Sequence, residues 1–283
     1  MADGQLVSVG DARLNVVERG SGFPLIALHG GPGLDHRMFG DYLDALTDEV
    51  RLLLVDQRAQ GRSERSPEGT WTLERMAADV DALARSLELE RYAVLGHSYG
   101  AFVALQNAVD FPGAAERTIV SSGLPSARFL GNVETALAEF EPVELRDRVT
   151  ASWEQEKRVR TPEEVGALLH DQLPFHFRDP RDPAIAEFER RTAGAVYSPE
   201  VLRHFANEDY GGIEVEDRLG EIPQSVLVLV GRYDRTCQLA GADAIAAGIP
   251  NAELVVFERS GHMTYVEENE RYVDVVRSFL TDD

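Results

Sequence analysis

Short apolar runs rich in Val, Leu and Ile recur along this chain, and between them the apolar residues fall at helical spacing. The runs are "QLVSV", "RLNVVER", "PLIALHG", "VRLLLVDQ", "RYAVLGHS", "RTIVSSG", "SVLVLVGRYD" and "AELVVFE", eight expected strands in all. Most are continuous and do not alternate apolar with polar, which suits strands covered on both faces. Between them, "TLERMAADVDALARSLEL" sets Leu73, Met76, Ala77, Val80, Leu83 and Leu87 on one helical stripe, with Thr72 near its start. Near the end, "YVEENERYVDVVRSFL" repeats the pattern through Tyr272, Val273, Val276 and Leu280. Strands alternating with helices predict the α/β class: a mostly parallel eight-stranded sheet with helices on both faces. The alternation stops between Leu124 and Pro223, where proline, charge and helical periodicity dominate. The expected organisation is therefore a core domain of residues 1–123 and 224–283 with an inserted helical cap, or lid, of residues 124–223. The lid also collects Trp153, Phe175, Phe177, Phe188, Tyr197, Phe205 and Tyr210, which are read mostly as packing residues, some of them facing a cleft beneath.

The strand ends carry the chemistry. "GHSYG" follows the run "RYAVL" and precedes the helical "YGAFVALQNAVDF". A serine at a sharp strand-to-helix turn projects clear of the sheet, and glycines two residues on either side let strand and helix approach. Gly96, Ser98 and Gly100 meet that pattern, so Ser98 is the candidate nucleophile. A serine hydroxyl reacts only when a base takes its proton. In this architecture the acid and then the histidine follow the nucleophile in the chain. Asp234 ends the strand run "VLVLVGRYD", and His262 stands in "ERSGHM" between the last strand and the last helix. Both are at carboxyl ends, where open α/β sheets build their sites. His29, His36, His97, His170, His176 and His204 are read as structural, and Asp56, which precedes Ser98, as the organiser of the loop "DQRAQGRSE". Acyl transfer also needs donors for an oxyanion. "HGGPG" after the third strand offers the Gly31 N–H, to be paired with the N–H of Tyr99, the residue after the nucleophile. An ordinary turn or a phosphate loop are the alternatives for "HGGPG", but no G-x-G-x-x-G accompanies it and Pro32 removes a donor.

Composition narrows the partners more than the reaction. The formal charge is −21, from 49 acidic and 28 basic residues, and an acidic surface repels phosphate backbones. No nucleic-acid partner is expected. The apolar runs fall far short of the roughly 20 residues a membrane helix needs, so no membrane partner is expected and the cytoplasm is the default location. Cys237 is the single cysteine, which leaves no intrachain disulfide and no cysteine cluster for zinc. No metal or organic cofactor is required.

On "HGGPG", "DQRAQGRSE", "GHSYG", "GRYD" and "SGH" the sequence resembles the α/β-hydrolase superfamily over nearly its whole length, and within it the proline iminopeptidases. In the family's usual loop a glycine stands where this chain has Ala59. The resemblance implies an α/β-hydrolase fold and a serine hydrolase acting on small molecules or short peptides. Family members that release an N-terminal residue hold the free ammonium with acidic side chains. A lid Asn-Glu pair of the family is matched by Asn207 and Glu208, which makes Glu208 a substrate-binding candidate. Some relatives carry a glutamate after the triad aspartate, where this chain has Arg235; a cation there disfavours an ammonium and favours a carboxylate or an uncharged ester. Three activities follow: a proline-iminopeptidase-like hydrolase first, a carboxylesterase or lactonase second, and a ligand-binding receptor on a hydrolase scaffold third.

Overall fold

The computed structural model describes residues 4–281. All eight strands form where the apolar runs place them: β1 (Gln5–Ser8), β2 (Arg13–Arg19), β3 (Phe23–Leu28), β4 (Val50–Val55), β5 (Ala93–His97), β6 (Arg117–Ser121), β7 (Ser225–Gly231) and β8 (Ala252–Phe257). They make one sheet in the order β1-β2-β4-β3-β5-β6-β7-β8. β2 runs antiparallel to both its neighbours, and every pairing from β4 to β8 is parallel. The fold is that of the α/β hydrolases.

Successive residues of a strand point to opposite faces, so each run feeds two cores. Ile26, Leu28, Leu53, Val55 and Val94 pack under α1 (Leu73–Ser86), α2 (Tyr99–Asp110) and, further along the sheet, Val228 and Val230 pack under α8 (Leu239–Gly248). Leu25, Ala27, Leu52, Leu54 and Leu95 face the other way, onto Phe39, Tyr42, Tyr265, Tyr272 and Val276. This is why the runs show no alternation in hydropathy. Thr72 caps α1 as its position suggests, accepting the Arg75 N–H on its side chain.

Between β6 and β7 the described residues hold no strand but five α-helices: α3 (Gly131–Ala138), α4 (Val143–Glu156), α5 (Pro162–His176), α6 (Ala184–Arg191) and α7 (Pro199–Asn207). The last stripe differs from expectation in being split, into α9 (Thr264–Glu267) and α10 (Asn269–Thr281). Glu268 breaks it, because its carboxylate turns back to accept the Arg259 N–H and the Ser260 hydroxyl at 2.9 and 2.7 Å. The break thereby ties the final helices to the loop that carries His262.

Candidate active site

Ser98 sits between β5 and α2 with φ 56° and ψ −121°, a left-handed backbone that a non-glycine residue holds only under constraint. Its N–H is anchored on the Ser121 carbonyl at 2.9 Å. The flanking glycines are explained by distance. A Cβ on Gly96 would stand 2.0 Å from the Gly100 carbonyl oxygen, and one on Gly100 would stand 2.2 Å from that of Leu28. The turn therefore exists only because strand, helix and the end of β3 meet without side chains.

Asp234 and His262 come together through a similar approach. A Cβ on Gly231 would stand 1.9 Å from the Gly261 carbonyl oxygen, so the loop after β8 lies directly on the end of β7. His262 Nδ1 is 2.8 Å from Asp234 Oδ2, with both residues buried. The other carboxylate oxygen accepts the N–H groups of Thr236 and Cys237, each at 2.9 Å. Burial pushes the Asp234 carboxyl up, but the neighbouring His262 and these donors outweigh it and hold the group below the usual carboxylate range. Asp234 is thus an ionised partner fixed at both oxygens.

The loop after β3 is held by the loop after β4. Gln60 Oε1 accepts the Gly33 N–H at 2.6 Å, and Gln57 Nε2 donates to the His29 carbonyl at 2.8 Å. Asp56 accepts from the backbone N–H and Nδ1 of His36 on one oxygen, and from Asn15 and the Arg62 N–H on the other. Asp35, His36 and Asp56 bring their ligand-type atoms within 4.8 Å, but the surrounding donors already occupy the carboxylate oxygens, so the cluster braces the loop. Ala59 takes φ 62°, the left-handed conformation a glycine would adopt more readily. Arg58 beside it is fully buried and pairs with both oxygens of Asp79 at 2.7 Å.

Gly31, Ser98, Tyr99 and His262 all line one cavity of about 1220 Å³, whose far walls are built by α3 to α7. Tyr99 opens α2, in the first turn, where N–H groups have no intrahelical acceptor. Gly31 has φ 119°. The two residues expected to offer backbone donors, the serine and the histidine thus line a common space.

The profile of the alpha/beta hydrolase family matches residues 25–275. The chain belongs to the alpha/beta hydrolase family. Proline iminopeptidase of Saccharolobus solfataricus is 29% identical over 276 residues, covering 93% of this chain and 86% of that protein. An alpha/beta fold family hydrolase of Bacillus anthracis superposes with a TM-score of 0.81 at 19% identity, covering 97% of this chain and 98% of the other. An esterase of Exiguobacterium antarcticum superposes at 0.77 and 22%, covering 100% of both. At such identities the two structures speak for the fold alone.

In this alpha/beta hydrolase the two substrate-binding candidates stand apart from the cavity. Glu208 follows α7 on the exposed surface and does not line the cavity. Arg235 is turned onto the end of α5, donating to the carbonyls of Phe175, Phe177 and Arg178 at 3.1, 2.7 and 3.1 Å, with its guanidinium over the rings of Phe140 and Phe175. These bonds fix that segment to the sheet end, and the Arg235 side chain does not line the cavity. Among the acids that line the cavity, Glu156, at the end of α4, is the buried one on the helices between β6 and β7. It is buried, accepts from Gln172 Nε2 at 2.6 Å and from the Tyr210 hydroxyl, and burial raises its carboxyl to about 6. Two histidines read from sequence as structural in fact pack against His262, His97 at 5.0 Å and His176 at 5.1 Å between ring centroids. Contact between residues 86 positions apart or more leaves no local trace in sequence. Among the described residues no helix is long and apolar enough to cross a membrane.

Proposed function

We propose that this protein is a serine hydrolase that releases the N-terminal residue from short peptides or arylamides. The observation that carries the serine chemistry is the 2.8 Å His262–Asp234 pair opening on the same cavity as the strained Ser98. His262 takes the Ser98 proton as Oγ attacks the acyl carbon, the Gly31 and Tyr99 N–H groups receive the oxyanion, and His262 returns the proton to the departing amine. Water then clears the acyl-enzyme by the same route in reverse. Asp234 holds the imidazole in the required tautomer. Residues 124–223 act as the lid that encloses the substrate.

The peptidase reading rests on the proline iminopeptidase relatives and on the cavity's charge, with Asp35, Glu134, Asp147, Glu154, Glu156, Glu189 and Asp209 set against Arg146, Lys157 and Arg158. A buried ammonium demands an anionic acceptor. Glu156 takes that part in place of Glu208. An esterase is the second reading, favoured by the Tyr210 and Gln172 bonds that already engage the Glu156 carboxylate.

Ser98→Ala should remove covalent labelling by a fluorophosphonate probe while leaving the fold intact; labelling that survives would mean another nucleophile. Prolyl and alanyl arylamides assayed beside short aryl esters decide the substrate. Ester turnover with no arylamide turnover discards the peptidase reading and leaves the esterase.

A further inference from the structure

Two imidazoles, those of His97 and His176, pack against the His262 ring, and they differ in what else they touch. His97 is fully buried in β5, with Nδ1 3.2 Å from the Ser121 hydroxyl, and does not line the cavity. His176 ends α5, and its carbonyl accepts the His262 N–H at 2.7 Å. Its ring faces that of His262 at 5.1 Å and 33°, is braced edge-on by Trp153 at 5.9 Å, and lines the cavity beside Ser98. Among the described residues neither ring nitrogen of His176 has a hydrogen-bond partner.

A neutral imidazole has one donor and one acceptor nitrogen. Burial, together with the neighbouring His262, lowers the His176 imidazole to about 3, so the ring stays neutral while His262 works. The two ring centroids lie 5.1 Å apart at the cavity wall, so a water about 2.8 Å from one nitrogen of each ring would bridge them.

We infer that His176 is a catalytic residue of the second half-reaction, holding the water that His262 activates against the acyl-enzyme. The inference rests on the serine hydrolase reading. One water proton points at the acceptor nitrogen of His176 and the other at His262. The water oxygen attacks the acyl carbonyl carbon while His262 takes its proton, giving a tetrahedral adduct with the oxyanion on the Gly31 and Tyr99 N–H groups. The adduct collapses with cleavage of the bond from carbon to Ser98 Oγ, and Oγ takes the proton from His262. Acid and free serine result, and His176 keeps its own proton throughout.

The test uses an aryl acetate with the wild type, His176→Phe, which keeps an aromatic ring against His262, and His176→Gln, which restores a polar partner. Steady-state turnover is followed alongside the acetylated fraction at Ser98, read by acid quench and intact-mass spectrometry. Losing one hydrogen bond to the water is expected to slow deacylation about threefold to tenfold. In His176→Phe the acetylated fraction should therefore rise, with kcat/KM, which reports acylation, within about twofold of wild type. His176→Gln should bring the acetylated fraction back toward wild type. An acetylated fraction that does not rise, or a kcat/KM that falls as far as kcat, overturns the inference and leaves His176 a packing or leaving-group residue. If Ser98→Ala hydrolyses the ester as fast as wild type, the serine reading itself fails; if Ser98→Ala is inactive and His176→Phe shows no accumulation, only the role of His176 falls.

Discussion

Replacing Glu156 by glutamine separates what its carboxylate does for a substrate from what it does to the fold. The side chain is buried in the cavity wall, and glutamine keeps an acceptor for Gln172 while its NH2 can donate to the Tyr210 hydroxyl oxygen. A carboxylate and an ammonium about 4 Å apart attract by roughly 4 kcal/mol at an effective dielectric of 20, and a hydrogen bond to a charged group is worth about 1.5–3 kcal/mol net. Allowing for desolvation, Glu156→Gln should lower kcat/KM on a prolyl or alanyl arylamide by about tenfold to a hundredfold. An aryl acetate, with no ammonium, should be unaffected. Stability should move the other way. The carboxyl rises from its ordinary 4.5 to about 6, so the folded protein binds this proton more tightly than the unfolded chain does. The resulting stabilisation is complete below pH 4.5 and is lost as pH rises through 6. A shift of this size corresponds to about 2 kcal/mol. Urea melts should therefore show Glu156→Gln gaining up to about 2 kcal/mol over wild type at pH 8 relative to the difference at pH 4.5. On the arylamide, wild-type KM should rise as pH falls through 6, while on the ester it stays flat through that range. Equal loss on both substrates, or no loss on either, would refute the ammonium role; a variant less stable at pH 8 would refute the buried-charge argument.

Arg58→Met should destabilise by about 3–5 kcal/mol in urea melts, since it strands the buried Asp79 carboxylate, and Asp79→Leu added to it should recover most of the loss. Gly231→Ala places a Cβ 1.9 Å from the Gly261 carbonyl oxygen and should displace the His262 loop. On a protein still folded by circular dichroism, kcat on an aryl ester should drop about a hundredfold. Ala59→Gly exchanges relief of a left-handed alanine against a looser unfolded chain and a lost buried methyl, and should change stability by under about 1 kcal/mol in the same melts.

The sheet was readable from sequence because burial on both faces keeps the middles of β3, β4, β5 and β7 apolar, leaving short runs that suit a covered strand. The loop after β3, the serine turn and the Asp and His loops were readable because each needs a glycine or a fixed residue type at a fixed offset. Gly96, Gly100, Gly231 and Gly261 all mark places where backbone meets backbone. The split at Glu268 was missed because the helical stripe of 265–280 runs through it, and hydropathy does not register a carboxylate that folds back onto the Arg259 N–H.

In the helices between β6 and β7 the choice of cavity residue was less open than it looked. Matching a motif selected Glu208, yet α7 ends just before it and leaves it in solvent. Helical periodicity points to Glu156 instead. Val149, Ser152 and Glu156 fall at i, i+3 and i+7 on the buried side of α4, and Val165, Leu168 and Gln172 repeat the spacing on α5. An acid and an amide on two apolar stripes have to find polar company, and here they find each other at 2.6 Å. A charged residue at a core position of an amphipathic helix is costly enough that it marks a site more reliably than an acid matched to a motif in a loop. The same spacing rule does not reach His176. Only the folding of α5 onto the loop after β8 brings that ring to His262, through the Arg235 bonds to Phe175, Phe177 and Arg178 on either side of it.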